Sequence, residues 1–221
     1  RQAEEISRHL DGGWLPIPVI TRKRGDVLIR QRTYVAPCDS PGSDPTRLNR
    51  RPVCVVEFAF AGLPSSNTTP VFRLSFVAPP PDKTGFRLEP AASGFLVRHG
   101  NQPIAVVVPR EGTGQAAIDG VSLVFNRSSS KAGGDGGAGP VAGIGYVLPP
   151  GFPAEEIADL PSTAHLRVEV ENYWTAVLAS AAQLETPEPF LNDLIRSSQA
   201  RCLIAARNEA DGARLAPWIA A

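Results

Sequence analysis

The sequence predicts a β-sandwich followed by a run of α-helices. Three observations predict it. Between Trp14 and Val147, short apolar stretches alternate with Pro, Gly, Asn and Asp, the pattern of short strands joined by turns. The same half carries Pro37, Pro41, Pro45, Pro52, Pro64, Pro70 and the run Pro79-Pro80-Pro81, which helix interiors reject because proline lacks the N–H and clashes with the preceding turn. From Pro149 onward the apolar residues recur at three- and four-residue spacing, the period of one helix face. Strands first and helices afterwards imply an α+β chain or separate domains.

Residues 2–10 read as the last turns of a helix closed by Asp11-Gly12-Gly13. Strands are expected at Val27–Val35, at Val53–Ala61 with Glu57 as its one charge, and at Val71–Val77, where Phe72, Leu74 and Phe76 share a face. Gly94–Arg98 and Ile104–Val108 read as a hairpin around the five-residue loop His99–Pro103. Val121–Phe125 and Val141–Leu148 complete the strands. Pro149–Pro153 is a stiff connector, Ala154–Leu160 a short helical turn, and Ser162 or Thr163 caps a helix to about Gln183. Its stripe is Leu166, Val170, Tyr173, Val177 and Leu184, with Arg167, Glu169 and Glu171 opposite. Thr186-Pro187-Glu188 starts a second helix, with Leu191, Leu194, Ile195, Ser198, Cys202 and Ala205 as its stripe. Asn208–Gly212 ends that helix, and a third starts near Pro217.

Lys plus Arg and Asp plus Glu are both 22, so no basic excess points to nucleic acid or an anionic membrane. No apolar run is long enough to span a bilayer, and Arg1–Leu10 is too polar for a signal peptide. The chain has no Met and stops at what reads as the start of a helix, so further sequence is expected on both sides. Its three cysteines, Cys38, Cys54 and Cys202, lack zinc spacing; they are either three buried thiols or include a Cys38–Cys54 disulfide. His9, His99 and His165 lie in three different elements and suggest no metal. No metal and no cofactor is expected.

Gly134–Gly139 matches G-x-G-x-x-G, but serines precede it and Pro140 follows. The dinucleotide motif needs a strand before it and a helix after it, so this is a surface loop. Asn67-Thr68-Thr69 and Asn126-Arg127-Ser128 match the short glycosylation sequon. Glycoside hydrolysis needs two carboxylates across the scissile bond. Glu155 and Glu156, like Glu169 and Glu171, read as solvated charge. Glu209 and Asp211 instead share a stretch with Asn208, Arg214 and Trp218. An aromatic beside charged donors and acceptors suits a sugar, whose C–H face stacks on the ring while its hydroxyls bond the polar groups.

Val170-Glu171-Asn172-Tyr173-Trp174, followed by Leu184-Glu185-Thr186-Pro187-Glu188-Pro189-Phe190-Leu191-Asn192-Asp193-Leu194-Ile195, resembles the domain junction of bacterial six-hairpin glycosidases. Ala205–Glu209 and Arg214–Ala220 look like the first loop of their helical barrel and the start of its inner helix. The resemblance covers about residues 165–221. It implies a supersandwich-like β domain, a bridging helix and the first hairpin of a truncated (α/α)6 barrel. The parts are then 1–13, the remnant of a preceding segment; 14–148, the β-sandwich; 149–186, connector and linker helix; and 187–221, the first helical hairpin. The resemblance further implies a parent glycoside hydrolase or phosphorylase whose acid and base lie beyond Ala221, so that this fragment alone is inactive. The implied partners are carbohydrate and the remainder of its own catalytic domain. Arg214 and Trp218 are the expected sugar contacts, with Glu209 and Asp211 as polar helpers. The second helix should expose an apolar stripe. The alternative is a non-catalytic carbohydrate-binding or scaffold β-sandwich, for which only Trp14 and Tyr34 offer an aromatic platform.

Overall fold

The computed structural model describes residues 4–25, 27–39, 50–62, 71–77, 85–91, 93–109, 116–126, 141–209 and 212–215. Eight strands form one antiparallel sheet: β1 (Glu4–Leu10), β2 (Pro18–Arg24), β3 (Val27–Pro37), β4 (Pro52–Gly62), β6 (Phe86–Ala91), β7 (Gly94–His99), β8 (Gln102–Pro109) and β11 (Val141–Val147). Their order is β1-β2-β3-β4-β11-β8-β7-β6, so the last strand in sequence lies at the centre. Three more, β5 (Val71–Ser75), β9 (Ala116–Asp119) and β10 (Ser122–Asn126), form a smaller sheet in the order β5-β10-β9.

The strand β4 shows why the large sheet has two covered faces. Successive side chains of a strand point to opposite sides. Val53 and Val55 enter a cluster with Tyr34, Val106, Tyr146 and Leu166. Phe58 and Phe60, of the other parity, enter a second cluster with Val97, Val107, Leu123 and Phe125. Leu123 and Phe125 belong to β10, so the small sheet packs on this second face. The two sheets thus face each other across a shared apolar layer, with the Phe58 and Phe125 rings edge to face at 5.6 Å. A strand buried on both sides reads as a nearly continuous apolar run, which is why Glu57 stands out in β4.

The other face of the large sheet is covered by α1 (Thr163–Ala179), by Leu15 and Ile17, and by Phe152 of the connector. Ser162 caps α1: its Oγ accepts from the His165 N–H at 3.3 Å. The buried face of α1 is Leu166, Val170 and Leu178, with Trp174 partly buried beside them. Tyr173 and Val177 sit at its flank, and Leu184 lies past the helix end, 62% exposed. A connector turn at Ala154–Asp159 precedes α1.

The second helix, α2 (Pro189–Ala205), starts two residues later than the proline pattern suggested. The Glu188 carbonyl accepts the first helical N–H groups, from Leu191 and Asn192, and Pro189 takes the first helical position, where a missing N–H costs nothing. Thr186 bonds Asn192 reciprocally, its N–H to Oδ1 at 2.8 Å and its carbonyl to Nδ2 at 3.0 Å.

Several expectations are corrected. Residues 4–10 form β1, paired along their length with β2, not a helix. Glu4, Arg8 and His9 carry polar side chains that suit an edge strand open on both faces. The β7–β8 loop is shorter than expected, by one residue at its start and two at its end: His99 pairs with Gln102. Cys38, Cys54 and Cys202 are free, the first two half-buried and the third exposed. Cys54 opposes Val35, whereas Cys38 bonds across to Arg51, three positions away and of opposite parity. Their side chains leave opposite faces of the sheet, so no disulfide can join them. The loop at 134–139, Asn67 and the third helix near Pro217 lie outside the described residues.

Gly143 sits where β11 passes under Phe58. A Cβ there would collide with the Phe58 ring, which Phe125 holds in place. Gly143→Ala is expected to lower stability by about 1–3 kcal/mol through overpacking. Adding Phe58→Leu should make the second change cheaper than it is alone, as read by denaturant midpoints.

Candidate functional site

Three places in the described residues concentrate polar or uncovered groups. The first is a seam between the large sheet and α1. Arg32 donates to Glu57 Oε2 at 2.8 Å and reaches Asp11 Oδ1 at 3.4 Å. Arg167 of α1 donates to the other Asp11 oxygen at 2.7 Å. The Tyr34 hydroxyl lies 3.1 Å from Glu57 Oε1 and 3.3 Å from the Thr163 carbonyl, one proton facing two acceptors. The side chains of Asp11, Arg32 and Glu57 are no more than 17% exposed. Burial, then the Glu57 charge, pushes the Tyr34 hydroxyl pKa well above its ordinary value. Tyr146 is raised for the same two reasons in the same order. The neutral phenol is therefore the form this seam holds.

A second set of ion pairs lies on the other side of α1. Arg50, 11% exposed, donates to Glu169 Oε2 at 2.6 Å and to Asp39 Oδ1 at 3.0 Å. Arg51 pairs with Glu156 and lies 5.4 Å over the Phe152 ring. Glu169 is thus a structural partner, not solvated charge; Glu155, Glu156 and Glu171 are exposed, Glu156 in a surface pair with Arg51. Both sets join segments far apart in the chain, and each carboxylate already has its cation. They hold elements together, and no pair of carboxylates here faces a common open cleft.

The third place is α2 and the hairpin that follows it. The hairpin pairs β12 (Ala206–Glu209) with β13 (Gly212–Leu215), Glu209 opposite Gly212 and Arg207 opposite Arg214. A helix-ending loop was expected here; the chain instead turns straight from helix into strand. The register therefore places Glu209, Arg207 and Arg214 within one short hairpin. Asp211 and Trp218 lie outside the described residues.

The helix α2 docks through its polar side. Ala200 is buried, Gly13 abuts Asp193, and Arg196 lies 5.9 Å over the Trp14 ring. The apolar stripe faces away: Phe190, Leu191, Leu194, Leu203 and Ile204 are all more than 40% exposed. A groove of about 560 Å³ runs along this side, lined by Ala181, Leu194, Ile195, Cys202 and Leu203. Neither aromatic proposed as a sugar platform is free for it, since Tyr34 is buried in the seam and Trp14 is half-buried beneath Arg196. Among the described residues no group of His, Cys, Asp and Glu could hold a metal ion, and no helix is long and apolar enough to cross a membrane.

The seam escaped sequence reading because its partners are remote: Arg167 and Asp11 are 156 positions apart. The one local signal was Glu57, a charge inside an otherwise apolar strand.

Two measurements check these assignments. A raised folded pKa means the native state keeps the Tyr34 proton longer than the unfolded chain does. Its contribution to stability is complete below the ordinary tyrosine value of about 10 and declines as the pH climbs above it. Tyr34→Phe should flatten the alkaline end of a stability–pH curve above about pH 10 and leave its slope near neutrality unchanged. Separately, an apolar dye such as anilinonaphthalene sulfonate should fluoresce on binding the open side of α2. Leu194→Ser with Leu203→Ser should remove most of that signal.

No known protein-family model matches this chain, and no curated protein matches it.

Proposed function

We propose that this chain is part of a carbohydrate-active enzyme of the six-hairpin glycosidase kind, a hydrolase or phosphorylase, in which the β layers support a helical catalytic domain. The observation that carries the reading is α2. The junction phrase Leu184–Ile195 forms the approach to this helix and its first turns, and the helix turns its apolar stripe outward. A helix docked by its polar side, with its apolar side open, suits the first member of a larger helical assembly. The order of elements supports the same reading: sheets, then a helix clamped on the sheet, then α2.

On this reading the β12–β13 hairpin faces the substrate. Arg214 and Glu209 offer donors and acceptors to sugar hydroxyls, and Trp218 offers a stacking face, with Asp211 as a further acceptor. The general acid and base come from the rest of the helical domain, so the 221-residue chain alone turns over no substrate.

The test is made in the full-length enzyme. Arg214→Ala and Trp218→Ala should each lower kcat/KM by about ten- to a hundredfold, the cost of a lost charged hydrogen bond or ring stack. Unchanged turnover and affinity in both variants would remove the sugar-contact assignment. Glycan binding without turnover in the full-length protein would favour the non-catalytic carbohydrate-binding reading.

A further inference from the structure

The helix α2 meets the rest of the chain chiefly at two places, the turn that begins at Asp11 and α1. Gly13 has φ +83, and a Cβ on it would collide with the Asp193 carboxylate. Three residues after Asp193, in this same corner, Arg196 covers the Trp14 ring at 5.9 Å. Asp193, Arg196 and Ala200 are spaced to share one helix face, and Ala200 is buried. The segment before α2 is tied to α2 rather than to the sheet: Thr186 bonds Asn192, and Gln199 donates to the Ala182 carbonyl at 2.7 Å. The helix α1 ends at Ala179, with Ser180 as its cap. The joint therefore has two ends: the Ser180–Ala181 turn, where Gln183 Nε2 donates back to the Leu178 carbonyl of α1 at 2.7 Å, and the corner at Gly13–Trp14.

We propose that residues 182–205 form one unit that pivots at Ser180–Ala181 and is latched shut by the Gly13–Trp14 turn against Asp193 and Arg196. Glycine is required at position 13 both for its left-handed backbone and for the close approach of Asp193. Arg196 supplies the cation that holds the Trp14 ring. Because β12 follows α2 without a linker, the latch also sets where the hairpin stands relative to the sheets. Only this last consequence rests on the function proposed above.

The test is amide hydrogen exchange on the intact protein, comparing Pro189–Ala205 with Thr163–Ala179. Arg196→Ala should speed exchange in Pro189–Ala205 by about two- to fivefold, the loss of one partly exposed cation–ring contact. Arg196→Lys, which keeps a cation over the ring, should restore most of the protection. Gly13→Ala should speed exchange in the same stretch by about tenfold, from a strained backbone and a displaced Asp193. In each case Thr163–Ala179 should exchange as in the unaltered protein. Unchanged exchange in Pro189–Ala205 for both Arg196→Ala and Gly13→Ala overturns the latch. So does an equal rise in Thr163–Ala179, which would mean the corner stabilises the whole fold and not α2 alone. If exchange responds as expected while turnover in the full-length protein does not, the latch stands and the substrate-facing role of the hairpin falls.

Discussion

Asp11 is the residue on which the arrangement of layers depends. Its two carboxylate oxygens are divided between Arg32 of the sheet and Arg167 of α1. Loss of that carboxylate would leave Arg167, 42% exposed, without its cross-link to the sheet, and would leave Arg32 held by Glu57 alone. Arg32 also holds Glu57, and Glu57 holds the Tyr34 hydroxyl, which in turn reaches the first turn of α1. One short turn between β1 and β2 therefore ties the edge of the sheet, its centre and the helix into a single network.

That network explains which parts of the fold were legible in the sequence. Strands buried on one or both faces were readable, because β3, β4, β8 and β11 carry apolar residues at a spacing that burial demands. The edge strand β1 was not, since both of its faces are open and nothing forces its residues to alternate. Its Glu4-Glu5 and Arg8-His9 pairs resemble the polar side of a helix as much as a strand. In α1 the existence, the cap and the buried Leu166 and Val170 were legible, while the second half of the burial face moved by a residue, from Tyr173 and Val177 to Trp174 and Leu178. Trp174 turns toward the sheet and Tyr173 toward the flank, with their rings edge to face at 5.2 Å. Two aromatics in sequence leave the spacing pattern undecided, and packing chooses between them.

The candidate site was less legible for a related reason. Four-residue strands such as β12 and β13 hold too few residues to show a period, and Asn208-Glu209-Ala210-Asp211-Gly212 has the composition of a helix stop. Pairing, which joins Arg207 to Arg214, is a long-range fact that residue types do not announce. The apolar stripe of α2 was legible, but the direction it faces was not. Composition marks a helix face as apolar without saying whether the covering partner is the sheet already present. Here Gly13 and Trp14 take the polar side, and the apolar side is left over.

The geometry of α1 shows why the seam is ionic where apolar contact alone would have sufficed for burial. Leu166 and Val170 give the helix its grip, each contributing about 2 kcal/mol. A smooth apolar stripe, however, resists rolling about the helix axis only weakly. At about 100° per residue, Arg167 and Glu169 project about 80° to either side of the line between Leu166 and Val170. Arg167 is held by Asp11 on one flank, and Glu169 by Arg50 on the other. Any roll that shortens one pair lengthens the other, so the two pairs together fix the angle of α1 on the sheet. The angle of α1 then fixes the direction in which the chain leaves at Ser180. A helix whose exit must be aimed, because α2 and its hairpin depend on it, has a use for directional contacts that a merely covered sheet does not.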